Sequence, residues 1–150
     1  MSLLIREATE ADLPGVLALY GQSGLDNDAV LSVAQAREVF QQFARYPSYR
    51  LFVACEPAHP GSVIATYALL VMHNLAHCGA PSAIAEDVVV HPQRQGKGIG
   101  RQLMAHAIEQ ARAAGCYKLA LSSNAKRQAA HAFYESLGFQ RHGLSFVIET

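Results

Sequence analysis

The sequence predicts an α/β protein, in which β-branched runs alternate with amphipathic helices along 150 residues. Two observations indicate this class. The runs at 51–54 and 63–72 are strand-like and flank a turn-rich connection at 56–61, which favours an antiparallel hairpin. The run at 86–90 instead enters a glycine-rich turn that opens directly into a helix from Ile99.

Capping residues and periodicity place the other elements. Thr9 or Asp12 can cap a first helix, and Ser32 caps a second helix that runs to about Arg45. Gly115 is the expected C-terminal cap of the helix that begins at Ile99. The predicted strands are 3–6, 51–54, 63–72, 83–90, 117–121 and one or two closing strands within 139–148, and the last two predicted helices are 99–114 and 127–137.

Charge and composition exclude several classes of protein. Twelve Lys and Arg residues balance twelve Asp and Glu residues, so no net field would hold nucleic acid or an anionic membrane. No apolar run is long enough to span a bilayer and the N-terminus lacks a secretory pattern, which predicts a cytoplasmic protein. Three cysteines without a Cys-x-x-Cys pair argue against a zinc ribbon, and no metal site is expected. The length favours a single domain over residues 1–150.

The glycine-rich turn predicts a phosphate-binding site. Glycines at 96, 98 and 100 allow the backbone to approach a ligand, and the first N–H groups of the following helix have no intrahelical acceptor. Lys97 and Arg101 add positive charge. The turn is not a Walker A sequence because no Ser or Thr follows Lys97, and Arg101 stands where a dinucleotide-binding turn needs glycine.

Two segments resemble one protein family. Gln95-Gly96-Lys97-Gly98-Ile99-Gly100 is similar to the pyrophosphate-binding signature Gln/Arg-x-x-Gly-x-Gly/Ala of the GNAT superfamily of acyl-CoA-dependent N-acetyltransferases. The segment from Asn124 to Phe139 resembles the superfamily's second hallmark, a helix that closes with Ala-x-x-Phe-Tyr-x-x-x-Gly-Phe. The resemblance implies a central mixed, mostly antiparallel sheet flanked by helices on both faces, acetyl-CoA as cosubstrate, and a homodimer as an oligomeric state common in such folds.

The resemblance also implies roles for individual residues. The pyrophosphate of acetyl-CoA would bind at Gln95, Gly96, Lys97, Gly98, Ile99, Gly100 and Arg101. Backbone N–H groups of Val88, Val89 and Val90 would bind the pantetheine arm and the thioester oxygen. Asn124 would bond the same arm, and His131 would lie near the cofactor. Tyr134, which matches the tyrosine of the family's Phe-Tyr dipeptide, would protonate the departing thiolate.

The general base is predicted from strand alternation. Glu86 would share a strand face with Val88 and Val90, point into the cleft and remove the amine's proton through water, while Asp87 would face the other way. A surface ion pair is the alternative role for Glu86. His73 and His77 are rival bases, because a histidine titrates near neutral pH.

These residues together predict an enzyme that moves an acetyl group from acetyl-CoA directly to a small primary amine. None of the three cysteines lies in either motif, which argues against an acyl-enzyme. The subgroup resemblance is divided between aminoalkylphosphonate and glucosamine-phosphate acetyltransferases. A protein lysine or N-terminal acetyltransferase and a noncatalytic CoA-binding regulator are the alternatives, and no motif in residues 21–31 or 74–83 identifies the acceptor.

Overall fold

Five strands form one mixed sheet in the computed structural model, which describes residues 2–150. The strands lie in sequence order, with antiparallel pairing from the first to the fourth and parallel pairing between the last two. They are β1 (Leu4–Glu7), β2 (Tyr49–Cys55), β3 (Val63–Met72), β4 (Ser82–Val90) and β5 (Leu119–Ala120).

Helices cover both faces of this sheet. The first two helices, α1 (Leu13–Ser23) and α2 (Val33–Phe43), pack on the face that carries Leu51, Val53 and Ala68. The third helix, α3 (Ile99–Ala113), packs on the opposite face, where its His106 contacts the rings of Phe52 and Tyr67. The predicted α/β class and the mixed, mostly antiparallel sheet with helices on both faces are therefore confirmed.

Side-chain hydrogen bonds stabilise the turn before α1 and the start of α2. The Asp12 carboxylate accepts hydrogen bonds from the Thr9 backbone N–H at 2.8 Å and from both terminal nitrogens of Arg6 at 2.7 and 2.9 Å. Asp12 is buried, and this pairing stabilises the turn that leads into α1. Ser32 caps α2 as predicted, since its hydroxyl accepts from Gln35 N at 3.2 Å and its N–H donates to Gln35 Oε1 at 3.0 Å.

A β-bulge interrupts β4 at Asp87. Thr66 of β3 pairs with Val89 and Ala68 pairs with Glu86, so that Asp87 and Val88 together oppose the single residue Tyr67. Asp87 has a φ of +51°, a left-handed conformation that Asp tolerates better than most residues. The extra residue changes which face of the sheet the following side chains reach.

Residues 121–150 form a second compact unit, which contains one helix, α4 (Gln128–Ser136). The predicted closing strands within 139–148 are wrong, because residues 137–150 contain no strand. The strand-forming side chains of this segment are 85–92% exposed, and β-propensity yields a strand only where a partner strand is present. The predicted strand at 117–121 is shortened to Leu119–Ala120, the two residues in register with Ala83 and Ile84 of β4. Tyr117 and Lys118 still make backbone hydrogen bonds, to Pro81 at 2.9 Å and to Ala83 at 3.0 Å. None of the helices within residues 2–150 is long and apolar enough to cross a membrane.

Candidate active site

The glycine-rich turn leads from β4 into α3 through two left-handed glycines. Gly96 has a φ of +77° and Gly98 a φ of +78°, which L-residues rarely adopt. A Cβ at either position would meet no heavy atom of the protein within 4 Å, so the backbone of the turn faces open space. The α3 helix begins at Ile99, whose side chain is buried in the core while its backbone N–H belongs to the unpaired first turn. The turn thus has the backbone geometry of an anion-binding site.

Three cationic side chains lie in or next to this turn, and one of them is paired with a carboxylate. Arg94 forms an ion pair with Glu56, which fixes the start of the turn. Lys97 and Arg101 are exposed, and neither forms an ion pair with any other residue of 2–150. Their charges are available to an anion bound at the N-terminus of α3.

The edge of β4 next to β5 is open along the segment predicted to bind the pantetheine arm. β5 pairs only with Ala83 and Ile84, so among the described residues no strand lies beside the later part of β4 on that side. Val89 is buried and Val88 is half-buried, so their side chains belong to the sheet. Backbone groups on this edge can pair with an extended ligand in the manner of a strand.

The bulge corrects the predicted direction of the β4 side chains. Glu86 pairs with Ala68 and Val90 pairs with Ala65, three residues apart on β3, so Glu86 and Val90 lie on opposite faces of the sheet. Asp87 does not turn away from Glu86 as strict alternation requires. It lines a cavity of about 90 Å³ on the α1 and α2 face, together with Ala68.

The cavity beside Asp87 is mostly apolar and carries two tyrosines, Tyr20 and Tyr49. Burial raises the pKa of the Asp87 carboxyl, and Asp26 raises it further by charge repulsion. Burial also raises the pKa of Tyr20 and of Tyr49, with Asp87 as the next cause in both cases. The sequence alone did not predict this group of side chains. The one available signal was that Asp tolerates the left-handed conformation of a bulge.

The two histidines considered as bases lie at the far end of the hairpin. Met72 pairs with Ser82 where β3 and β4 join, and Glu86 lies four residues further along β4, about 13 Å away. His73 and His77 are both exposed, and the His77 ring stacks on Tyr117 at 4.5 Å. Neither histidine lines the cavity beside Asp87. Glu86 does not line this cavity either, but it is the neighbour of Asp87 on β4.

Tyr134 lies near the end of α4 in the second unit. Its ring contacts Phe133 and Phe139, with centroid distances of 5.2 and 5.8 Å. Burial raises the pKa of the Tyr134 hydroxyl, an effect that Arg127 partly offsets, so the phenol is protonated at neutral pH. No residue within 2–150 forms a hydrogen bond with this hydroxyl. A half-buried, protonated and unpaired phenol can donate a proton or a hydrogen bond to a ligand.

Asn124 and His131 are partly committed to the structure of the second unit. The Asn124 side-chain oxygen accepts from Lys126 N at 2.9 Å, which forms a turn before α4. The His131 ring nitrogen Nε2 lies 2.8 Å from the Asn124 backbone oxygen. The amide nitrogen of Asn124 forms no hydrogen bond within residues 2–150, so this group is free for a ligand.

Comparison with known proteins identifies the family. Residues 17–139 match the model of the Acetyltransferase (GNAT) family. The chain is 35% identical over 145 residues to an aminoalkylphosphonate N-acetyltransferase of Salmonella typhimurium, a match that covers 95% of this chain and 88% of that protein. It is 30% identical over 142 residues to a glucosamine 6-phosphate N-acetyltransferase of Trypanosoma brucei brucei, covering 95% and 92%. The crystal structure of a Trypanosoma brucei acetyltransferase superposes with a TM-score of 0.84 at 29% identity, covering 99% of this chain and 100% of that one.

Proposed function

This chain belongs to the GNAT family and is an acetyl-CoA-dependent N-acetyltransferase, and from that premise we propose that it acetylates the primary amine of a small molecule by direct transfer. The observation that carries this proposal is the small cavity lined by Asp87. Asp87 belongs to β4, the strand whose backbone would bind the thioester according to the family resemblance. Relatives named for small amines support the same conclusion. The family match includes parts of both compact units, which supports a single domain over 1–150.

We propose that acetyl-CoA binds through the turn and the open edge of β4. The pyrophosphate would accept hydrogen bonds from the N–H groups of the α3 N-terminus, with Lys97 and Arg101 as counter-charges. The pantetheine arm would pair with backbone groups of Val88, Val89 and Val90, and one of these N–H groups would stabilise the thioester oxygen as it becomes negative. The free amide nitrogen of Asn124 would donate to the same arm.

The proposed reaction needs a base and an acid. The acceptor arrives as an ammonium ion and must lose a proton before its nitrogen can attack, because the ammonium has no lone pair. Glu86, whose side chain is exposed, is the proposed base and acts through water. The nitrogen then forms a bond to the thioester carbon, the carbon–sulfur bond breaks, and the departing thiolate takes its proton from Tyr134.

The assay for this function follows the release of free CoA thiol. Purified protein is incubated with acetyl-CoA and a panel of small primary amines and lysine-containing peptides, and products are identified by mass spectrometry. We expect thiol release and an acetylated product with small amines. Turnover of peptides alone would favour a protein acetyltransferase. CoA binding by calorimetry without turnover of any amine would favour a noncatalytic regulator.

We propose further that the protein is a cytoplasmic homodimer. Cys55, Cys78 and Cys116 are all unpaired, which accords with a reducing compartment. Leu144, Phe146, Val147 and Ile148 are between 85% and 92% exposed, an unusual cost for large apolar side chains in a monomer. Light scattering of the Phe146→Ser variant and of the unmodified protein tests whether these exposed side chains form a dimer interface. The dimer proposal predicts a shift toward monomer, and an unmodified protein that is already monomeric contradicts it.

A further inference from the structure

The cavity beside Asp87 carries information about the chemical class of the acceptor. We propose that the acceptor is a primary amine on a short apolar body that bears no anionic group, with its ammonium against Asp87 and its body against the α1 and α2 wall. This inference rests on the proposed function, since it concerns the second substrate of the same site. The observations that support it are the volume, the lining residues and the charges of the cavity.

The walls select an apolar body. Apart from Asp87 and the two tyrosines, every side chain that lines the cavity is apolar, and they include Leu17, Leu31 and Phe40. Polar groups buried there without partners would cost free energy, whereas methylene and methyl groups gain by leaving water. The cavity has a volume of about 90 Å³ and is open to solvent on one side, where Leu31 and Val39 are exposed. A branched alkyl chain of a few carbons fits this space.

The charges of the cavity select a cation. Asp87 is the one charged side chain that lines it within residues 2–150, and Asp26 lies close enough to raise the Asp87 pKa by repulsion. A bound ammonium relieves this repulsion. A phosphate or carboxylate on the acceptor would instead add a third negative charge to the same region.

Among residues 2–150, no Lys or Arg side chain lines this cavity. A neighbouring cavity shares the walls Phe40, Phe43, Tyr49 and Leu51 and includes Arg50 among its lining residues. The Arg50 guanidinium, however, lies 4.9 Å from the centre of the Phe52 ring and donates to Gln110 Oε1 at 3.1 Å. These contacts are on the α3 face of the sheet, because Phe52 packs with His106 there. The Arg50 charge is thus directed away from the cavity beside Asp87.

The main test compares two amines that differ by one carboxylate group. 3-Methylbutylamine and leucine share the same alkyl body, and leucine adds one carboxylate. We expect kcat/KM to be at least tenfold higher for 3-methylbutylamine, although the leucine amine is the easier of the two to deprotonate. Glucosamine 6-phosphate and 2-aminoethylphosphonate should be poorer still. Equal or better turnover of any of these three anionic amines would overturn the inference while leaving the proposed acetyltransferase function intact.

Variants of the cavity test the same inference independently. Asp87→Asn retains a residue that tolerates the bulge conformation, and it should raise the KM for 3-methylbutylamine at least tenfold without changing the KM for acetyl-CoA. Asp28→Asn, at another residue with a positive φ, is the matched control and should leave both constants unchanged. Leu31→Lys places an ammonium at an exposed wall position and should reverse the preference toward leucine. An unchanged KM in Asp87→Asn contradicts the inference, and turnover of no amine at all contradicts the proposed function itself.

Discussion

Replacing the Tyr134 hydroxyl should separate catalysis from stability. Tyr134→Phe retains the ring and its contacts with Phe133 and Phe139, and no residue within 2–150 loses a hydrogen-bond partner. We therefore expect the free energy of unfolding to change by less than about 0.5 kcal/mol. A general acid contributes about a hundredfold or more to rate, so kcat should fall by about that factor, which corresponds to about 2.7 kcal/mol of transition-state stabilisation.

The measurements are thiol release under saturating acetyl-CoA, calorimetric CoA affinity and urea unfolding. Tyr117→Phe is the matched control, since Tyr117 is an exposed tyrosine that belongs to neither motif. The loss in Tyr134→Phe should shrink with a thioester of a more acidic thiol, because that thiolate departs without a proton. Full activity in Tyr134→Phe would show that the hydroxyl has no catalytic part. An equal loss for every leaving group would indicate that it positions the cofactor instead.

The remaining predictions concern the base, the turn and the first helix. Glu86→Gln should depress turnover near neutral pH and recover as the pH approaches the pKa of the amine, because free amine then arrives deprotonated; a uniform loss in the pH–rate profile would refute a base. Gly98→Val and Gly115→Val should lower the free energy of unfolding by similar amounts, because the φ values are +78° and +76° and a Cβ at either position meets open space. Only Gly98→Val should lower the affinity for CoA measured by calorimetry. Equal CoA affinity in the two variants would remove the pyrophosphate from the turn. Asp12→Asn should destabilise the fold by about 2 kcal/mol in urea unfolding, because it breaks the charged pair with Arg6. Hydrogen bonding to Arg6 lowers the pKa of Asp12 below its ordinary value of 3.8. The stability from this pair is therefore fully present above pH 3.8, and it is lost as the pH falls through the lower pKa of the folded state. If the unfolding free energy of Asp12→Asn fell with acid as steeply as that of the unmodified protein, this assignment would be contradicted.

Local signals account for most of the elements that were predicted correctly. Ser32 caps α2 through its own side chain, and Gly115 ends α3 with a φ of +76°. Such caps depend on residues a few positions apart, so the sequence records them directly. The turn at 95–100 was readable for the same reason, because left-handed glycines stand at 96 and 98.

The incorrect elements depend on partners that are remote in sequence. The segment at 139–148 has strand-forming residues but forms no strand. Leu121 is likewise left out of β5, since the parallel pairing with β4 spans only Ala83 and Ile84 and ends at Ala120. Strand formation requires a hydrogen-bonded neighbour, and propensity alone does not supply one.

The sequence by itself determined the family, the cosubstrate and the residues of the glycine-rich turn, because these are written in contiguous motifs at 95–100 and 124–139. The tertiary structure decided where the β4 carboxylates lie. One extra residue opposite Tyr67 puts Asp87 into the cavity beside α1 and α2, and Val90 on the face opposite to Glu86. The period of a regular strand predicts side-chain direction only while the pairing register holds. A bulge is set by the fit of β4 against β3 and the helices around them, and therefore only the folded chain reveals it.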